Sequence, residues 1–143
     1  MHDPESVLAL YGMDLEGKSI HRLSFNLHSD FSPEVLPNVR IVFISWQSYL
    51  YQNQSVGKYT FMAINNDGTD LMPFFGNHET PLYRDMINIS YSDPRIYFIE
   101  SERLSWLGGG DICYLSQERP FHSFRKINHV EDGLFHSPCP LQD

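Results

Sequence analysis

The sequence predicts an all-β protein on three observations. Of 143 residues 41% are hydrophobic and 14% aromatic, with 9 Gly and 9 Pro, so ring side chains and turn formers are plentiful. The run from Gly57 to Ile64 climbs to an Asn65-Asn66-Asp67-Gly68 turn and restarts in apolar residues at Leu71, which is the local pattern of a β-hairpin. Signals for helices are weak, and the chain matches itself when slid along its own length.

That self-match organises the rest. Leu10 to Ile20 lies over Phe61 to Leu71, with Gly17 on Gly68 at an offset of 68 − 17 = 51, and Asn26 falls on Asn77. Arg40-Ile41-Val42-Phe43-Ile44 lies over Arg95-Ile96-Tyr97-Phe98-Ile99 at 95 − 40 = 55. A third copy starts at Asp111-Ile112-Cys113-Tyr114-Leu115-Ser116, and Pro138 falls on Pro33 at 138 − 33 = 105, about two periods. The repeating units are expected over about 8–58 and 59–110, with an incomplete one over 111–143, in a single partial domain.

In chain order, residues 8–13 and 20–25 read as a hairpin around Leu15-Glu16-Gly17-Lys18, where Gly supplies the positive φ. Asn26 to Pro33 reads as a polar crossing. Residues 40–46 form the strongest strand, and their apolar side chains run together without alternating, so both faces should be covered. Gln47 to Gly57 reads as a long polar and aromatic connection to a strand at 58–64, and Phe74 to Ile87 as a second crossing. Strands are expected at 95–100 and 111–116, flanking a turn that contains Gly108-Gly109-Gly110. No linker divides the chain.

Charge and cysteines narrow the function classes. With 18 acids against 10 bases the net charge is −8, and no Lys/Arg cluster offers the cationic surface that nucleic acid requires. The only cysteines, Cys113 and Cys139, form neither a CxxC pair nor a haem-attachment CxxCH run. Cys113 reads as a small buried hydrophobe in an apolar strand, and its pairing with Cys139 is left open by the sequence. The N-terminal Met1-His2-Asp3-Pro4-Glu5 lacks the basic and apolar regions of a signal peptide, and no run has the length of a membrane helix.

Units of this length, each built of about four short strands, are characteristic of propeller blades, which bury their faces against one another. A propeller has roughly four to eight blades, whereas 143 residues supply fewer than three units. Three explanations stay open: a piece of a longer protein, a ring closed with other copies, and an open β-array.

The residues also carry a resemblance. Tyr11-Gly12-Met13-Asp14-Leu15-Glu16-Gly17-Lys18 through Phe25 resembles the strand, Asp-Gly turn and Arg-Leu-Thr motif of TolB-like, WD-repeat-related propellers. Asp30 to Trp46 is similar to the Pro-x-x-Leu-Pro-Asp-Gly-Arg-Ile strand of that group. Asn65-Asn66-Asp67-Gly68-Thr69 through Gly76-Asn77-His78 is most similar to the middle propeller domain of hydrazine synthase alpha-subunit-like proteins. The resemblance covers about Leu8 to Leu141 and implies a non-catalytic propeller in a periplasmic or extracytoplasmic setting. It departs from the family at Asn38-Val39, where the family has Asp-Gly; a β-branched residue is costly there, and the turn is expected to be rebuilt. Since no CxxCH occurs, haem and hydrazine chemistry do not carry over.

Seven histidines are present, but none has HxH or HExxH spacing, so no metal, cofactor or catalytic residue is expected. No serine sits in a GxSxG elbow. Trp46 is expected in the core, though with Tyr49 and Tyr51 it could form an aromatic recognition patch. The densest polar cluster is His78-Glu79 with Tyr83-Arg84-Asp85, on the second crossing. With His28 and Asp30 on the first crossing, these seven residues form the expected surface for a protein or small-molecule ligand, because propellers present ligands on loops at the channel ends. The leading expectation is a scaffold or binding module without chemistry of its own. Its alternatives are the propeller of a larger enzyme, such as a peptidase or haem protein, and a small standalone β-protein.

Overall fold

The apolar run at Ile41 opens strand β4 (Ile41–Tyr51), which with β5 (Gln54–Ile64) is one of the two longest strands among the described residues, at 11 residues each. The computed structural model describes residues 7–52, 54–76, 82–88, 93–101, 109–127 and 135–138. Its strands are β1 (Tyr11–Gly12), β2 (His21–Arg22), β3 (Asp30–Val35), β4 (Ile41–Tyr51), β5 (Gln54–Ile64), β6 (Met72–Phe75), β7 (Leu82–Asn88), β8 (Arg95–Ser101), β9 (Asp111–Ser116) and β10 (Arg125–Lys126). β1 and β2 pair alone; β3-β4-β5-β6 and β7-β8-β9-β10 are two four-stranded antiparallel meanders. The all-β class holds, with one 3-10 turn at Pro120–His122 among the described residues.

Burial shows why the sheets stack. On β4, Val42 and Ile44 join a cluster with Phe61, Ala63, Phe74, Ile96, Phe98, Cys113 and Leu115, which fills the gap between the two meanders. Phe43 faces the other way and packs with Ile64, Leu10 and Leu23 from the β1–β2 hairpin. The β4 run therefore lacks alternation because both of its faces are covered. These two clusters are one interface built twice: Leu10 corresponds to Phe61 (61 − 10 = 51), Leu23 to Phe74 (74 − 23 = 51), Phe43 to Phe98 (98 − 43 = 55) and Ile64 to Leu115 (115 − 64 = 51). The β1–β2 hairpin is accordingly the outer half of a preceding sheet. Phe43, Phe61 and Phe98 are among the largest wholly buried side chains, each contributing about 3 kcal/mol of burial.

The turns repeat as well. In Asp14–Gly17 and Asn65–Gly68 the Gly N–H donates to the first residue's carbonyl at 3.1 and 2.9 Å, with Gly17 and Gly68 at φ 73° and 84°. Leu36–Val39 is the same turn, closed at 2.8 Å, and it is not rebuilt: Val39 itself takes φ 67°. The backbone is clamped beyond it, where Leu36 N–H donates to Arg40 O at 2.8 Å and Arg40 N–H to Asn38 Oδ1 at 3.2 Å. That position carries a strain of about 1–3 kcal/mol.

Three sequence expectations are corrected. Asp30 to Pro33 is strand rather than crossing: β3 tolerates Pro33 because a bulge between Phe31 and Glu34, with Ser32 at φ 50°, takes it out of the ladder. Gln47 to Gly57 is no long connection but the distal part of a continuous β4–β5 ladder that runs to Tyr51↔Gln54. Tyr83, Arg84 and Asp85 lie in strand β7 rather than in a loop, Tyr83 opposite Glu100 and Arg84 opposite Ile99.

The register continues to the end of the described chain. Ser137 has φ 42° before Pro138, as Ser32 has before Pro33, and Phe135 N–H donates to Gly110 O at 3.1 Å where Asp30 N–H donates to Leu8 O at 2.9 Å. The sequence units drawn at 58/59 and 110/111 would begin within β5 and with the first residue of β9.

Candidate functional site

Both crossings enter their sheets at the same end: β3 begins with Asp30 opposite Ser45, and β7 begins with Leu82 opposite Ser101. At this rim each sheet carries a buried polar row. In the first it is Asp30, Ser45 and Thr60, all buried, with Ser45 directly opposite both Asp30 and Thr60. Asn26, arriving from the β1–β2 hairpin, serves two of its members: its Nδ2 donates to Ser45 Oγ at 2.7 Å, Asp30 Oδ1 at 3.1 Å and Trp46 O at 3.3 Å, while Thr60 Oγ1 donates to Ser45 O at 3.5 Å. Asp30 is thus a structural acceptor at the sheet entrance.

The second sheet fills the equivalent row with charge. Glu100 stands at the Ser45 position (100 − 45 = 55) and Asp111 at the Thr60 position (111 − 60 = 51), directly opposite each other and each 5% exposed. Two carboxylates so placed need a counter-charge. Lys126 Nζ supplies it, paired with Glu100 Oε2 and lying 3.3 Å from Asp111 Oδ2. The Glu100 hydrogen bond is the chief reason the ammonium holds its proton well above the ordinary lysine range. Burial first, and then the charge of Glu100, push the neighbouring Cys113 thiol up to about 12. Such a thiol is protonated and unreactive at neutral pH, which matches the buried-hydrophobe reading of Cys113; Cys139 lies outside the described residues.

His28 is half-buried, and one of its ring nitrogens, Nε2, lies 3.1 Å from Ser48 Oγ. Nucleophilic chemistry would also need a third group orienting the ring and donors for an oxyanion, and the described residues place neither there. The pair fastens the first crossing to β4. Of the other five expected surface residues, Tyr83, Arg84 and Asp85 sit at the start of β7, the last of them within its bulge, while His78 and Glu79 lie outside the described residues. Among the described residues no group of three His, Cys, Asp or Glu side chains could hold a metal ion.

Trp46 lies across Gly57, where an added Cβ would meet the indole at 1.9 Å, and it packs on Tyr59 with ring centres 4.7 Å apart. Phe31 meets Tyr59 edge-on at 5.5 Å. This aromatic set fixes the base of the β4–β5 ladder where it leaves the sheet. Trp46 is therefore half-buried against its own hairpin, rather than in the core between the sheets.

Sequence reasoning missed the Glu100–Lys126–Asp111 cluster. The signal was present in the repeat, since extending the match of Arg40–Ile44 onto Arg95–Ile99 by one residue sets a glutamate where its twin has a serine.

Meandering four-stranded sheets packed face to face through a twice-built interface define a partial antiparallel β-propeller. Comparison with known proteins agrees. The chain is 29% identical over 130 residues to hydrazine synthase subunit alpha of Kuenenia stuttgartiensis, across 87% of this chain and 16% of that protein. It superposes on the solved Kuenenia stuttgartiensis hydrazine synthase with a TM-score of 0.70 at 28% identity, covering 85% of this chain and 16% of that one. The resemblance read from the motifs is thus one of homology, to a segment about one sixth of the relative's length. No family model matches the chain.

Proposed function

We propose that the chain is a non-catalytic propeller segment that acts as a scaffold, equivalent to the middle domain of the hydrazine synthase alpha subunit. The observation that carries this is the interface built twice: Leu10, Leu23, Phe43 and Ile64 recur as Phe61, Phe74, Phe98 and Leu115, so the sequence is spent on stacking sheets. Its polar rows are tied down by Asn26 and by Lys126, with Asp111 Oδ1 left without a hydrogen-bond partner among the described residues. The end faces support the same reading. Tyr11 and Met13 on the first hairpin are 60% and 70% exposed, and on the far face of the last sheet Tyr97 and Tyr114 lie 5.6 Å apart beneath Arg95. Both faces suit further blades. The rim residues His28, Asp30, His78, Glu79, Tyr83, Arg84 and Asp85 are the surface proposed to meet a protein partner or ligand.

A second reading is favoured by the relative's name: the segment belongs to a larger enzyme whose active domain lies elsewhere, as a subunit of an assembly. One experiment addresses both. The matched segment of the Kuenenia subunit is replaced by this chain, and assembly and hydrazine formation are measured with the native rim and with His28, Tyr83, Arg84 and Asp85 changed to Ala. The scaffold reading expects the chimaera to assemble and work, with rim changes reducing assembly and leaving turnover per assembled complex unchanged. Intact assembly with lost turnover would assign chemistry to the segment and sink it.

A further inference from the structure

The two interfaces are twins in sequence but not in cover. Ile96 and Cys113 in the second are 1% and 0% exposed, whereas their twins in the first, Ile41 (96 − 41 = 55) and Met62 (113 − 62 = 51), are only half-buried. One strand makes the difference. Ile96 and Phe98 share their cluster with Val42 and Ile44 of β4, but the first interface is closed by β1 and β2, the twins of β5 and β6. Among the described residues nothing stands beside β1 where β4 stands beside β5.

The edge of β1 away from β2 is where such a strand pairs. Leu10 turns its backbone toward β2, its carbonyl accepting from Leu23 N–H at 2.8 Å and its N–H donating to Ser24 Oγ at 3.0 Å. Alternation therefore turns the N–H and C=O groups of Tyr11 and Met13 outward. In the twin strand this edge is the one that β4 occupies: Met62, which corresponds to Tyr11 (62 − 11 = 51), stands opposite Phe43. The half-sheet is formed without its neighbour, since Leu10 and Leu23 are buried against Phe43 and Ile64 and Asp30 N–H donates to Leu8 O at 2.9 Å. A preformed edge beside a half-covered apolar strip takes up a strand without refolding.

The twin also fixes what fits. Inward side chains of the guest take the places of Val42 and Ile44, so it carries apolar residues two positions apart, and an uncharged or basic segment meets this −8 chain without repulsion. A second copy has no such strand to give. Every run of four apolar residues in the sequence lies within β4, β5, β8 or β9 or leads into β1 itself.

We propose that the outer edge of β1 is a strand-acceptor site: an extended apolar segment of another polypeptide pairs with it antiparallel, as β4 pairs with β5, and covers Ile41 and Met62. This rests on the scaffold reading and names what its first end takes up.

A synthetic peptide with the sequence of residues 40–46, made soluble by a Lys-Lys tail, is titrated into the full chain and followed by fluorescence anisotropy and amide hydrogen exchange. It is expected to bind one to one and, at ten times its dissociation constant, to slow exchange at Tyr11 and Met13 about tenfold. A scrambled peptide with the same tail stays free. So does the peptide N-methylated at positions 41 and 43, whose amides face β5 in the native ladder, since that of Trp46, of opposite parity, is directed to Ser29 O. Tyr11→Pro removes one outward N–H, leaves the bonds to β2 and weakens binding about tenfold. Turnover plays no part in these readouts, so a failure here and a failure of the scaffold reading in the chimaera are told apart. Absence of binding, exchange slowed at a different edge, binding of the N-methylated peptide, pairing of this edge with a second copy, or uptake only when the same strand is fused ahead of residue 7 would each overturn the proposal.

Discussion

The two four-stranded sheets have one topology and one period, yet they fill the same buried slot with opposite chemistry. At the rim of the first, Ser45 and the lone carboxylate Asp30 are served by the Asn26 amide while Thr60 donates to Ser45 O; at the rim of the second, Glu100 and Asp111 face each other and are held by Lys126. The backbone leaves the means of filling the row to the side chains, and in the second sheet Asp111 Oδ1 keeps no hydrogen-bond partner among the described residues. The two means differ in robustness. Losing the neutral Asn26 amide takes one donor from a hydroxyl and a single carboxylate, whereas losing Lys126 takes the counter-charge from two facing buried carboxylates.

The largest expected effect tests the cores behind those rows. Phe98→Ala should lose about 4 kcal/mol in urea unfolding, since its ring meets Phe61, Phe75 and Phe124 at 5.0, 6.1 and 6.2 Å. Its twin Phe43→Ala should lose less, because it packs in the smaller cluster with Leu10, Leu23 and Ile64. Equal losses would mean that the two interfaces are energetically one.

Lys126→Met comes next, at about 2 kcal/mol, discounted because the lysine is 37% exposed. Glu100→Gln in the same chain should recover part of the loss, and full additivity of the two changes would break the cluster argument. The pH dependence has a defined sign. A lysine whose folded value is raised contributes its stability in full below the ordinary value of about 10.4 and loses it as pH climbs through the raised one. Denaturation curves of the native chain should therefore carry this contribution unchanged across neutral pH and show its loss only under strongly alkaline conditions.

In the first sheet, Asn26→Ala should lose about 1–2 kcal/mol without that alkaline dependence. Val39→Gly should gain about 1 kcal/mol, because glycine accepts the φ of 67° that valine endures, and no gain would mean that the clamp around Arg40 relieves the strain. The smallest effect concerns Cys113. In a Cys139→Ser background it should resist iodoacetamide until the chain unfolds, and labelling at the native rate of a free thiol would contradict its burial.

How much the sequence revealed follows from what each segment packs against. Ile41 to Ile44 was legible because burial on both faces writes an unbroken apolar run, and Gly17 and Gly68 because a positive φ selects glycine. The distal β4–β5 ladder was illegible for the converse reason. Beyond Trp46 the ladder leaves the core, so its pattern loses the alternation that marks a half-buried strand and reads as a connection. β3 was hidden by its own bulge, since Ser32-Pro33 breaks a strand pattern that the chain resumes at Glu34. The Glu100–Asp111 pair went unread because a charge at the end of an apolar strand looks solvated until the facing strand is known to bring Lys126 across.

The offset between sequence period and sheet has a consequence for how such a protein can lengthen. A repeat starting near residue 8 or 59 carries the outer strands of one sheet and the inner strands of the next. Cut in that frame, the unit is a seam with its two lips, rather than a plate. Copying it once more inserts a joint whose halves already match, and the edges it exposes are the same edges that existed before the copy.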